Sequence, residues 1–239
     1  MRLLRRAVAT ALAVASCSCV VAAGSAGADH DPGRADFVPV HRLAGSTGGE
    51  LLRDWWAALL AIPAAQSPLD PATEPLCLTL GRRGKVLAIA GAAPVATCTM
   101  RAGMRLFIPV SGAECSSAEP PPFYGATEAE QRACATGLAF SDDFVSAIRL
   151  SLDGGPVIDI HSERFQLVSP QGSVVFPEGP IFDATPGPAT FVAAMYGATL
   201  KRKLRPGQHT IRVDVVLPDG STLPLSIVLN VVKRGHEHH

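Results

Sequence analysis

The sequence predicts a mainly β fold: an Ig-like or jelly-roll β-sandwich with an N-terminal amphipathic helix and one short second helix. Three observations carry this. The second half of the chain alternates apolar and polar residues in short runs broken by turn dipeptides. Ile148, Leu150 and Leu152 alternate with Arg149, Ser151 and Asp153, and Ile211, Val213, Val215 and Leu217 alternate with Thr210, Arg212 and Asp214. Short strands at such spacing indicate a sandwich. Helical periodicity is confined to two segments, each opened by a Thr-x-x-Glu capping box, Thr47 to Glu50 and Thr127 to Glu130. Between these halves lie four well-spaced cysteines and no Cys-x-x-Cys pair, the pattern of a disulfide framework rather than of a zinc site.

The first 28 residues read as a secretory signal peptide. Arg2, Arg5 and Arg6 precede the apolar run Ala7 to Ala23, and Ala26-Gly27-Ala28 supplies a small-x-small cleavage pattern. A lipobox-like Val14-Ala15-Ser16-Cys17 is the alternative and would anchor a lipoprotein through Cys17; the apolar Val20 to Ala23 after it argues against a polar tether. Cleavage after Ala28 leaves 211 of the 239 residues, with 18 basic against 21 acidic groups and a net charge of −3. A secreted or periplasmic chain follows, with no membrane span, and a net charge so near zero predicts no capture by nucleic acid or anionic lipid.

Residues 29–45 are polar, contain Pro and Gly, and read as a flexible lead-in. The domain is expected over residues 46–234. Its first helix places Leu52, Trp55, Trp56, Leu59 and Leu60 on one face and closes at Pro63. The two tryptophans suit a sugar-stacking platform, but their place beside the leucine stripe points to the core. Leu76 to Leu80 and Lys85 to Ala90 predict a hairpin around Gly81 to Gly84. Strands follow at Thr97 to Met100 and Met104 to Val110, where Pro109 suits a strand end or edge. Ser111 to Gly125 reads as a long loop. The second helix carries Cys134 and is expected to stop at Gly137. Asp153-Gly154 returns the chain as Val157 to Ile160, and Gln166 to Val168 and Ser173 to Phe176 are further strands. A loop over residues 179–188 precedes the last hairpin, which turns at Asp219-Gly220 and brings Leu225, Ile227, Leu229 and Val231 inward. Residues 235–239 form a polar tail.

Cys77, Cys98, Cys115 and Cys134 allow three connectivities. The pairing Cys77 with Cys98 and Cys115 with Cys134 is favoured, because joining Cys98 to Cys115 would bridge the two ends of an extended strand.

Three segments carry a resemblance. Asp54-Trp55-Trp56 with Leu59 and Ile62-Pro63, Cys98-Thr99-x-x-Ala102-Gly103-x-x-Leu106-Phe107-x-Pro109-Val110, and Ala113-Glu114-Cys115 with the later Leu204 to Ile211 stretch resemble motifs of a family of secreted bacterial and archaeal proteins of about this size. The chain departs from that pattern at Met104, where Lys is usual, and at Ser111, where Asn is usual. The resemblance implies an exported domain and implies nothing about mechanism.

Glycosidase chemistry needs two carboxylates facing a cleft; Glu114, Glu119, Asp142, Asp143 and Glu163 could supply them but read as loop surface charges. No Gly-x-Ser-x-Gly elbow exists. His161 beside Glu163 is the best acid/base candidate. His209, in a Pro-Gly-x-His turn, reads as a structural hydrogen-bonder. No clustered histidines support a cupin metal site, and His236, Glu237, His238 and His239 belong to the tail. No cofactor motif or metal set is read. The sequence therefore predicts an exported non-catalytic binding or surface module, a monomer or weak oligomer whose partner is a small molecule, a glycan or a protein. The alternative is a secreted enzyme acting on a glycan or small polar substrate in a loop-lined cleft that gathers Arg101, Arg105, Glu114, Tyr124, His161 and Glu163.

Overall fold

The computed structural model describes residues 36–233. The predicted leader, Cys17 and the tail lie outside the described residues. Two sheets stack face to face. The larger runs in the order β1 (Phe37–Pro39), β12 (Gly187–Leu200), β7 (Arg105–Ser116), β5 (Val86–Ala90), β4 (Leu76–Leu80), and β10 (Gln166–Val168) and β11 (Gly172–Phe176) also pair with β12. The smaller runs β6 (Val95–Arg101), β14 (Thr222–Val232), β13 (Gly207–Val216), β8 (Ala147–Leu152), β9 (Ile158–Asp159). A small hairpin joins β2 (Arg42–Leu43) to β3 (Ser46–Thr47). Most pairs are antiparallel; β5 with β7 and β14 with β6 are parallel. The fold is a β-sandwich.

Helix α1 (Gly48–Leu60) lies on the outer face of the larger sheet. Its capping box is complete: the Thr47 hydroxyl accepts from the Glu50 amide, and the Glu50 carboxylate accepts from the Thr47 amide. One core fills the space between the sheets, built on Ile108, Val110, Leu150, Ile211, Val213 and Leu229. A second lies between the larger sheet and α1, where Leu51, Leu52, Trp55, Trp56, Leu59 and Leu60 meet Phe107, Phe191 and their neighbours.

The first strand begins at Phe37, nine residues before the expected domain boundary. Phe37 is buried and pairs with Leu200, so residues 37–45 belong to the sheet and its hairpin rather than to a lead-in. Strand β7 runs on to Ser116, through the stretch expected to be loop. A bulge accounts for the difference. The register with β12 passes from Val110↔Tyr196 to Gly112↔Met195, leaving Ser111 without an opposite residue at φ 44°. Before the bulge, even-numbered β7 residues face the smaller sheet. After it, Gly112, Glu114 and Ser116 oppose Met195, Ala193 and Phe191, which belong to the core under α1. Pro109 sits where β5, paired only from Arg105 to Phe107, no longer flanks β7, so its missing N–H leaves a ladder bond unmade only on an open edge. Helix α2 (Glu128–Ala139) runs past Gly137 to Ala139 and packs its alanines on Ala113, Cys115 and Ala194, taking the place of the smaller sheet there.

The disulfides join Cys77 to Cys98 and Cys115 to Cys134. The first links β4 to β6, an edge strand of each sheet, and closes that side of the sandwich. Replacing Cys77 and Cys98 together by alanine is expected to lower stability by about 2–3 kcal/mol, because a loop of 21 residues is then released in the unfolded chain. A urea midpoint unchanged from the parent protein would show that the bridge contributes nothing.

Candidate functional site

The inner face of β13 and β14 is apolar along its whole length but not covered along its whole length. Val231 and Leu229 are buried, Ile227 and Leu225 are half-buried, and Leu223 is 44% exposed. The sheets therefore part toward the β13–β14 turn. A cleft of about 380 Å³ opens there, within the range of about 300–1,000 Å³ usual for small-molecule pockets. Val213, Val215, Leu217, Leu225 and Ile227 form one wall, and Ile108 to Gly112 form the facing one. Because β5 leaves β7 after Phe107, the cleft extends through the gap to the larger sheet's other face, where Trp55, Trp56 and Met195 line it.

The tryptophans are held rigidly. The Trp55 indole N–H donates to the Ile89 carbonyl at 3.2 Å and that of Trp56 to the Met195 sulfur at 3.2 Å. Their rings meet edge to face at 5.2 Å, and Phe182 tilts against Trp56 at 6.4 Å. Both are buried, so they build the core and the cleft wall rather than an exposed platform. Two cleft residues are in the left-handed backbone region that non-glycine residues avoid: Ser111 at φ 44° and Phe182 at φ 60°, the latter followed by Asp183 at φ 56°. Such conformations cost of order 1–3 kcal/mol each and cluster at ligand sites.

The six polar residues expected to gather in a cleft do not gather. Arg105 and Glu114 lie at opposite ends of β7, nine residues and so about 30 Å apart. Arg105 donates to the Leu200 carbonyl at 2.8 Å, and Arg101 ends β6 exposed. Tyr124 is 49% exposed beside the far end of β7. The His161 ring tilts against Tyr196 at 4.9 Å, on the face toward the smaller sheet, and its Nε2 is buried without a partner among the described residues. Glu163 is exposed in the next turn and makes no hydrogen bond to His161. The His161–Glu163 acid/base pair is thus not assembled. His209 is the structural bonder expected: Nδ1 meets Asp153 at 2.7 Å and Nε2 the Arg205 carbonyl at 3.0 Å, while Asp153 also accepts from the Thr210 amide.

Glu114 and Glu119 are not surface charges. Both are buried, at 2% and 3% exposure. The bulge at Ser111 turns Glu114 under α1, and Glu119 is brought back to it by Ser116, whose hydroxyl accepts from the Glu119 amide at 3.2 Å. Burial pushes the Glu114 carboxyl well above the usual carboxylate range, and the neighbouring Glu119 charge adds to this. Burial also raises Glu119, while hydrogen bonding with Ser116 pulls it back. Burial therefore favours the protonated form of Glu114, and neither of its carboxyl oxygens has a hydrogen-bond partner among the described residues. Neither carboxyl lines the cleft, so the pair is not placed to flank a glycosidic bond there. The signal that would have found the pair is the setting of Glu114 between Ala113 and Cys115 in a strand buried on both sides.

Among the described residues no three His, Cys, Asp or Glu converge as a metal site, and no helix is long and apolar enough to cross a membrane. No protein-family model, curated protein or solved structure matches the chain.

Proposed function

We propose that this chain is an exported, non-catalytic binding module whose ligand is a small apolar molecule held between the parted sheets. The observation that carries this reading is the cleft: apolar inner-face residues of two sheets left partly uncovered, ending on two clamped tryptophans. An apolar surface of this kind facing water costs stability, and a ligand with an alkyl or ring body recovers it. The strained backbone of Ser111 and Phe182 at the walls supports the same assignment. Export is supported by the leader-like first 28 residues and by two disulfides, which persist in oxidising compartments. The absence of any catalytic set around the cleft favours a binder over an enzyme.

Titration with the neutral probe N-phenyl-1-naphthylamine tests it. Saturable binding with energy transfer from the cleft tryptophans, competed by 1-dodecanol, is expected. Leu225→Glu, at a half-buried wall position, should abolish it while leaving a cooperative melt. Absence of saturable binding, or equal binding by a folded Leu225→Glu protein, refutes the proposal.

A further inference from the structure

A second concavity lies at the opposite end of the sandwich, and its chemistry is the reverse of the first. It measures about 370 Å³ and is lined by Arg42, Leu43, Ala44, Lys85, Gly103, Arg105 and Lys203. Its four cations come from four separate segments: β2, the approach to β5, the start of β7 and the β12–β13 connection. Pairing brings them together. The Arg105 amide donates to the Lys85 carbonyl at 2.9 Å, and the Arg105 guanidinium donates to the Leu200 carbonyl at 2.8 Å, just before the loop bearing Lys203. Gly103 turns between β6 and β7 at φ 95°, closing the floor.

Among the described residues, no carboxylate pairs with any of these four cations. Glu50 lies close enough to Arg42 to attract it but forms no ion pair with it. Glu50 caps α1, and Asp153 holds His209. The same end also carries Arg82, Arg83, Arg101, Lys201, Arg202 and Arg205 on its turns and loops. A chain of zero net charge thus concentrates positive charge at one end. Cations gathered in a concavity repel one another and focus a positive potential that an anion relieves.

We infer that this pocket binds a ligand bearing two adjacent phosphoryl groups. Two guanidinium forks match phosphoryl oxygens with paired hydrogen bonds, and two ammonium groups add point charges. Four positive charges balance two phosphoryl groups of about −1.5 to −2 each. A single carboxylate would leave most of that charge uncompensated. The site is independent of the apolar cleft, from which the length of the sandwich separates it.

Calorimetric titration with inorganic pyrophosphate at low ionic strength tests the inference. One pyrophosphate per chain is expected, with affinity falling steeply as salt is raised. Arg42, Lys85 and Lys203 are exposed, so Arg42→Gln, Lys85→Gln and Lys203→Gln should leave the melting temperature unchanged. Each should weaken pyrophosphate roughly tenfold, the loss of one charge-assisted contact. Orthophosphate should bind more weakly than pyrophosphate. Sedimentation with vesicles containing phosphatidylinositol 4,5-bisphosphate, whose headgroup bears two adjacent phosphoryl groups, distinguishes the sources. Co-sedimentation competed by pyrophosphate assigns the phosphoryl groups to a lipid surface, and no co-sedimentation assigns them to a soluble diphosphate. Failure of pyrophosphate to bind at millimolar concentration, or equal binding by the three variants, overturns the inference.

Discussion

Trp56→Ala is expected to lower the stability of the protein by about 3–5 kcal/mol, the cost of removing a large buried aromatic side chain. Trp56 is 5% exposed and sits where α1, β12 and the loop bearing Phe182 meet. Its removal leaves a void against Met195 and Trp55 that the sheet cannot close, because β12 is paired on both sides. Trp55→Ala should cost a similar amount and leave the Ile89 carbonyl without its donor. Thermal and urea denaturation of both variants measure this. Unchanged midpoints would mean that α1 is a dispensable cover. If the variants fold at low temperature, their binding of the naphthylamine probe should also change, because the lost rings line the cleft.

The second large effect is a dependence of stability on pH that runs opposite to ordinary acid denaturation. Glu114 holds its proton in the folded protein to a higher pH than in the unfolded chain, where glutamate titrates near 4.3. Between those two values the folded state binds the extra proton, so stability falls as pH rises, by about 1.4 kcal/mol per pH unit for one proton. The contribution is fully present below the unfolded value and lost as pH passes through the folded one. Glu50 and Asp219, both held low by hydrogen bonds, act in the opposite sense, so the wild-type curve mixes the two. Glu114→Gln isolates the effect. The amide matches the carboxyl in size and carries no ionisable proton. The variant is expected to melt higher than the parent at about pH 8, with the difference shrinking toward about pH 5. Parallel pH curves for the two proteins would rule the retained Glu114 proton out.

Much of the fold is legible in the chain because its signals are local. The capping boxes at Thr47 and Thr127 mark both helix starts correctly, and the Asp219-Gly220 turn with its flanking alternation marks the β13–β14 hairpin. The strand at the centre of the larger sheet is not legible. Residues from Phe191 to Leu200 are all apolar or small except Thr199, and all are buried. A strand covered on both faces has no polar face to alternate with, so it shows no period of two. Nor does Gly137 stop α2, because tertiary packing of the flanking alanines carries the helix another turn.

The sequence by itself determined the mainly β class and the two helix starts, since each rests on neighbours within a few residues. Only the tertiary structure decided what the polar residues do. One extra residue at Ser111 turns Glu114 from the inter-sheet face to the core under α1 and brings it to Glu119. Strand pairing carries Arg42, Lys85, Arg105 and Lys203 from far-apart positions to one pocket, and scatters the residues that seemed to belong together. The inward face of β13 and β14 reads as uniform core, yet half of it walls a cleft. Periodicity reports which way a side chain points. Whether anything lies opposite depends on where the other sheet ends, and that is a property of the assembled fold.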